Sequence, residues 1–277
     1  MREANGTVIS DAGLHVTSGQ RVNADAYDRY LGRWSRLFVP SLLAAAEVQA
    51  GHRVLDVATG TGEAAVMAIP AVGSTGMIVG TDISAAMLEA ARARLSGSFR
   101  AVTADGQALP FRDASFDAAI CQLGLMFFPE PTRGLAEFRR VVRNGGCAAV
   151  CVISSPDKAP MWGPLAGALS RFLPDQHEAF HLGFAFADGE RLKRMLVTTG
   201  FGDVRVTPET RHGTVASFDE YWAAVEAGTG QMPLAYLTLS EAQRRAVREE
   251  VRAGLSTFES NGRLELSVEM FIGRGRA

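Results

Sequence analysis

Three carboxylates and two glycines carry the most legible chemistry in the chain. The stretch Val54-Leu-Asp-Val-Ala-Thr-Gly-Thr-Gly-Glu63 is an apolar run that closes on a Gly-x-Gly turn. Gly60 and Gly62 lack a Cβ, so the chain can turn tightly and let a ligand lie against bare peptide groups, while the following helix presents free N–H donors. Asp56, two residues inside the end of that run, is placed to organise the loop or to reach a cationic ligand through water. A second apolar run, Ile78-Val-Gly-Thr-Asp-Ile-Ser84, also closes on an acid. A carboxylate at that point beside a glycine loop is where the ribose hydroxyls of a nucleoside are held. Asp82 equally fits a cap for a helix starting near Ser84. In Thr103-Ala-Asp-Gly-Gln-Ala-Leu-Pro-Phe111, Asp105 beside an exposed Gly106 backbone could accept from an adenine amino group and donate to its ring; the stretch also reads as a turn.

These residues need a scaffold that brings strand ends together. From Arg53 onward, short β-branched apolar runs alternate with helical stretches, the pattern of an α/β fold with a parallel sheet covered on both faces. Strands are expected at 53–57, 77–81, 99–103, 116–121 and 147–153, with helices at 63–69, 85–95 and 133–142 between them. After Ser155 the rhythm changes: Pro156, Pro160, Pro164 and Pro174 interleave with aromatic residues through Phe186. A helix at 189–199, a strand at 203–207, helices at 218–227 and 240–256, and a last strand at 264–272 follow. The expected organisation is a flexible arm over 1–25, a ligand-binding α/β core over 26–155, an insertion over 156–187, and the remainder of the core over 188–277 with a helical cap at 213–262. Phe172, Phe180, Phe184, Phe186, Trp162, Met161 and Trp222 suit either an apolar pocket or the cap's own core. The helices after Phe218 could close over a pocket or form a dimer surface, so a monomer and a homodimer are both compatible.

Composition narrows the partners. With 277 residues, 47% of them hydrophobic, and a net charge of −2, the chain lacks the positive field of a nucleic-acid surface. Of its 28 basic residues only Lys158 and Lys193 are lysines. The three cysteines, Cys121, Cys147 and Cys151, stand in apolar runs as buried free thiols do, which suits a reducing compartment. No run is long and apolar enough to anchor in a membrane, and the first twenty residues lack a signal-peptide core, so a cytoplasmic location is expected.

Taken together, these motifs resemble class I S-adenosylmethionine-dependent methyltransferases, in particular the small-molecule group that includes ubiquinone and menaquinone biosynthesis enzymes. The resemblance covers roughly 26–153. It includes Phe116-Asp-Ala-Ala-Ile-Cys-Gln-Leu-Gly-Leu-Met-Phe-Phe128 and Glu137-Phe-Arg-Arg-Val-Val-Arg-Asn-Gly-Gly146. It implies a seven-stranded Rossmann-like sheet, last strand antiparallel, with S-adenosylmethionine as cofactor and a small, hydrophobic or aromatic acceptor methylated on O or C. By the same resemblance Asp56, Ala58, Thr59, Gly60 and Gly62 surround the methionine part, Asp82 holds the ribose with Ile83 and Met87 alongside, and Asp105, Gly106 and Gln107 take the adenine. Gln122 and Leu123 border the sulfonium. Tyr27, Tyr30 and Trp34 sit on a segment similar to the family's lid helix, where core packing is the other reading.

If the acceptor is a phenol or enol, His177 or His181, four residues apart and on one face of a helix, could take its proton. The same pair with Asp175 or Glu178 lacks a third metal ligand, and no catalytic metal is expected. Cys121-Gln-Leu-Gly124 departs from the Asn/Asp-Pro-Pro-Tyr/Phe pattern of enzymes that methylate exocyclic amines of bases. Two other classes share parts of the pattern. One is an NAD(P)-dependent oxidoreductase, although Ala65 stands where its third glycine belongs; the other is a cofactor-binding protein that uses the scaffold without methylation.

Overall fold

The computed structural model describes residues 31–277 except Ser96, Ser98 and Thr229. The expected arm, and with it Tyr27 and Tyr30, lies outside the described residues. After a short turn at Arg33–Ser35, the elements are α1 (Val39–Ala45), β1 (Arg53–Val57), α2 (Glu63–Val72), β2 (Met77–Asp82), α3 (Ala85–Arg94), β3 (Phe99–Thr103) and β4 (Phe116–Gln122). They continue with α4 (Pro131–Val141), β5 (Val142–Ile153), α5 (Gly163–Phe172), α6 (His177–His181), α7 (Gly189–Thr198), β6 (Gly202–Val215) and α8 (Phe218–Glu226). The chain ends with α9 (Gln231–Thr238), α10 (Glu241–Leu255), β7 (Glu259–Ser260) and β8 (Arg263–Arg276).

One mixed sheet has the order β3-β2-β1-β4-β5-β8-β6. The strands β1 to β5 pair in parallel, and β8 enters antiparallel between β5 and β6. The expected strand count was seven; β7, two residues long and paired with β8 alone, brings it to eight. The apolar runs earn their place because the central strands are covered on both faces: β1 is buried from Val54 to Val57, and β5 from Gly146 onward. Strand order reverses direction at β1 and β4. There the loops leaving the two strands must part, which opens a crevice at their carboxyl ends.

Several elements differ from expectation: β5 starts at Val142, and α1 and α5 were not placed. The strand expected at 203–207 runs to Val215, and the last strand runs from Arg263 to Arg276. Pro208 lies within it, and because β6 is an edge strand its missing N–H is tolerated. Beyond the last β5 pair, Ile153 with Met270, β6 and β8 continue together as a two-stranded ribbon to the Val215–Leu264 pair. Finally, α9 was not expected.

The cap helices α8, α9 and α10 follow the ribbon. Trp222 stacks on Phe218 with ring centroids 5.7 Å apart and meets Tyr236 edge-on at 5.2 Å. Ser240 and Gln243 form a reciprocal cap that starts α10. The large apolar residues of the insertion and cap are mostly core: Met161, Trp162, Phe180, Phe184, Phe186 and Trp222 are buried, and Phe172 is partly exposed.

Candidate functional site

At the β1–β4 crevice the backbone itself is unusual. Ala58 (φ 56°), Gly60 (φ 56°) and Gly62 (φ 87°) all lie in the left-handed region, as does Leu123 (φ 55°) just after β4. For Ala58 and Leu123, which carry a Cβ, this conformation costs about 1 kcal/mol or more. Gly124 completes the arrangement, because a Cβ there would fall 2.4 Å from Ala58 Cβ and 2.9 Å from Cys121 Sγ.

Asp56 sits beneath this loop, fully buried. Its Oδ2 accepts from Thr59 Oγ1 at 2.6 Å, while Oδ1 has no protein partner. Burial pushes its carboxyl up to about 7, and the nearby Asp82 charge adds to the shift. Asp82, at the end of β2, accepts from Gly60 N at 2.9 Å through Oδ2 and from Ser84 N at 2.8 Å through Oδ1. Burial raises its pKa as well. The helix-cap reading of Asp82 is corrected here: Ser84 is the N-cap of α3, accepting from Met87 N, and Asp82 instead fastens the glycine loop to β2.

A narrow slot lies over the loop, lined by Leu31, Ser35, Asp56, Ala58, Thr59, Gly60, Thr61, Glu63, Ala64, Gln122 and Leu123. Its free volume is about 30 Å³, room for a single water. Gln122 reaches from β4 to the segment above, donating through Nε2 to Ser35 O at 3.0 Å, and its Oε1 is buried without a partner. Three oxygens, Asp56 Oδ1, Gln122 Oε1 and Thr61 Oγ1, are thus buried and unbonded around one slot. Buried polar atoms are nearly always satisfied, so this set fits a donor-rich, cationic ligand group.

The other expected residues separate into two groups. Ile83 is 71% exposed beside Asp82, and Asp105 is exposed at the end of β3, so both face outward along the same edge. Gly106, expected to offer open backbone, is buried: a Cβ there would lie 2.3 Å from the Phe128 ring. Gln107 is turned into a tie between loops, its amide N bonded to Asp105 Oδ1 at 2.8 Å and its Oε1 accepting from Glu130 N at 2.6 Å. Trp34 does not line the slot; its ring fills the space that Gly213 leaves on the ribbon. His177 and His181 stack on each other, with centroids 4.2 Å apart, on α6 and outside the slot.

Leu31, Ser35, Thr61, Glu63 and Ala64 were not anticipated. Glu63, nearly buried at the start of α2, bonds Arg36 Nε at 3.1 Å and also pairs with Arg94. An acid in the first turn of a helix is a readable signal. The role of Ser35 depends on a contact across the fold and has no local signature.

A methyltransferase-domain family model matches residues 54–146. A demethylmenaquinone methyltransferase of Clavibacter sepedonicus is 44% identical over 109 residues, 39% of this chain and 43% of that protein. One of Staphylococcus saprophyticus is 31% identical over 173 residues, 57% of this chain and 74% of that protein. The chain therefore spans less than half of the first relative and about three quarters of the second. Among solved structures, a phosphoethanolamine N-methyltransferase of Haemonchus contortus, in complex with S-adenosylhomocysteine and phosphomonomethylethanolamine, shares the fold. It has a TM-score of 0.57 and 14% identity, covering 94% of this chain and 58% of that one.

Proposed function

The chain belongs to the class I S-adenosylmethionine-dependent methyltransferases, and from that premise we propose that it methylates a small, apolar, quinone-like aromatic acceptor. The observation that carries this reading is the set of unbonded oxygens at the β1–β4 crevice. Asp56 Oδ1 and Gln122 Oε1 suit the ammonium end of the cofactor, and the left-handed backbone at Gly60 and Gly62 leaves peptide groups open beside it. Each Asp82 oxygen uses one lone pair on a backbone amide and keeps another for ribose hydroxyls. Ile83 and Asp105 flank the base. When bound, the cofactor supplies an electrophilic methyl group on a sulfonium, so the residues of the chain have to bind, align and exclude water.

Alignment falls to the strained pair Ala58 and Leu123, which hold the two strand ends at fixed separation. Water exclusion falls to Leu31 and Ser35, which cover the slot. For the acceptor, the support is that two relatives are named for a quinone substrate. Methylation on ring carbon or on an attached oxygen follows from that class.

The test is methyl transfer from S-adenosylmethionine labelled on the methyl group, offered with a naphthoquinol, a simple catechol and an aliphatic amine. Label in the organic extract with the naphthoquinol or catechol supports the reading. Transfer only to the amine would overturn the acceptor class, and no binding of S-adenosylhomocysteine by calorimetry would overturn the cofactor.

A further inference from the structure

The charge of Asp56 decides what the slot can hold. Its Oδ2 is spent on the Thr59 hydroxyl at 2.6 Å, whereas Oδ1 is buried without a partner. Gln122 Oε1 and Thr61 Oγ1 line the same slot and are also buried and unbonded. Gln122 has used its donor end, since Nε2 is committed to Ser35 O at 3.0 Å. An amide oxygen can only accept, and the Thr61 hydroxyl brings a single proton, so three oxygens have one donor among them. A carboxylate in that set is a buried charge facing acceptors, which is unfavourable. A carboxylic acid relieves the conflict, because the proton on Oδ1 supplies a second donor.

The groups around Asp56 act in the same direction. Burial raises its pKa most and the Asp82 charge on β2 adds to it, while the Thr59 hydroxyl and the Ala65 amide pull it down by less. From β4, Cys121 faces it as a neutral thiol, pushed up to about 12 by burial and by Asp56 itself. From α2, Glu63 lines the slot and takes Arg36 and Arg94 as its partners. A cationic ligand group reverses the balance. An ammonium brings three donors and a positive charge, which serves Asp56 Oδ1 and Gln122 Oε1 together and favours the ionised acid.

We propose that Asp56 is a carboxylic acid in the free chain and a carboxylate in the complex, so that seating the ammonium end of the cofactor breaks the Asp56 Oδ1–H bond and passes that proton to solvent. This rests on the cofactor reading above. The proton must leave before the ammonium binds, so affinity rises with pH up to about 7 and levels beyond it. The ligand keeps its own charge in that range, because α-amino groups titrate near about 7.7–8.0. The pH dependence therefore belongs to the protein.

Calorimetric titration of the full chain with S-adenosylhomocysteine at about pH 6, repeated in buffers of different ionisation enthalpy, counts the protons released. Close to one per ligand is expected, and affinity should improve by about tenfold or more between about pH 5 and pH 7. Methylthioadenosine, which carries the nucleoside but no ammonium, should bind the native chain with no release. Asp56→Asn should bind S-adenosylhomocysteine with no release and with nearly equal affinity at both ends of the range. A binding enthalpy that is independent of buffer in the native chain would overturn the proposal. Release on binding methylthioadenosine, or release retained in the variant, would assign the proton to Asp82 and overturn it too. The two native titrations decide between these outcomes whether or not the variant folds. No binding of S-adenosylhomocysteine at any pH would overturn the cofactor reading, and this inference with it.

Discussion

Between Val54 and Gly124 the main chain sets the geometry: the left-handed Ala58, Gly60, Gly62 and Leu123, with a carboxylate that bonds two amides, shape the loop. Between Phe218 and Leu255 the rings set it, with Phe218, Tyr221, Trp222 and Tyr236 in contact and Arg248 and Arg252 lying over their faces. The first region leaves buried oxygens unbonded and residues strained; the second satisfies nearly everything it buries. Strain and unmet polar atoms cost stability and persist where a ligand can use them, whereas packed rings return stability and bind nothing by themselves. The contrast separates the part of the molecule that recognises from the part that supports.

Substitutions can break that contrast. Trp222→Ala removes the centre of the ring cluster and should lower stability by about 3–5 kcal/mol in denaturant titration, with S-adenosylhomocysteine affinity unchanged in the folded fraction. A matching loss of affinity would mean the cap also recognises. Asp56→Asn sharpens the other side. In the folded chain the Asp56 proton is held up to about 7, but in the unfolded chain it leaves near the ordinary 3.8. The folded state therefore binds the extra proton, and the stability this contributes is full below about pH 4 and lost as pH rises to about 7. Native stability should fall by about 1 kcal/mol per pH unit across that window relative to the Asn variant. Equal slopes in thermal melts would show that Asp56 is not held protonated.

Asp82→Ala releases Gly60 and should weaken S-adenosylhomocysteine binding about ten- to a hundredfold, the worth of hydrogen bonds to a charged group. Unchanged calorimetric affinity would leave Asp82 as a loop fastener alone. The smallest effect belongs to His181→Ala. A partly exposed ring stacked on His177 and outside the slot should change turnover by less than about tenfold, whereas a general base would cost about a hundredfold or more. The larger loss would move the reacting centre towards α6.

The sheet from β1 to β5 was legible because each strand and its following turn are specified within ten or so residues: a β-branched run, then glycine or proline. Asp56, Gly60, Gly62 and Asp82 were legible for the same reason. Ala58 and Leu123 were not, since neither residue type announces a left-handed backbone; the surrounding fold imposes it. The Gln122 bond to Ser35 joins residues 87 positions apart, and nothing local encodes it. Two elements depart from expectation at prolines. The strand expected at 203–207 continues through Pro208 at the sheet edge, and the unexpected α9 carries Pro233 in its first turn, where a proline loses no hydrogen bond.

From Thr210 to Val215 the β6–β8 pair runs past β5. At about 3.4 Å per residue this arm is roughly 20 Å long, so a tilt of about 3° at its root carries its tip by roughly 1 Å. Two paired strands twist more freely than a full sheet. A change of angle at its root is therefore largest at its tip, where Thr214 O meets Arg33 and Gly213 meets the Trp34 ring.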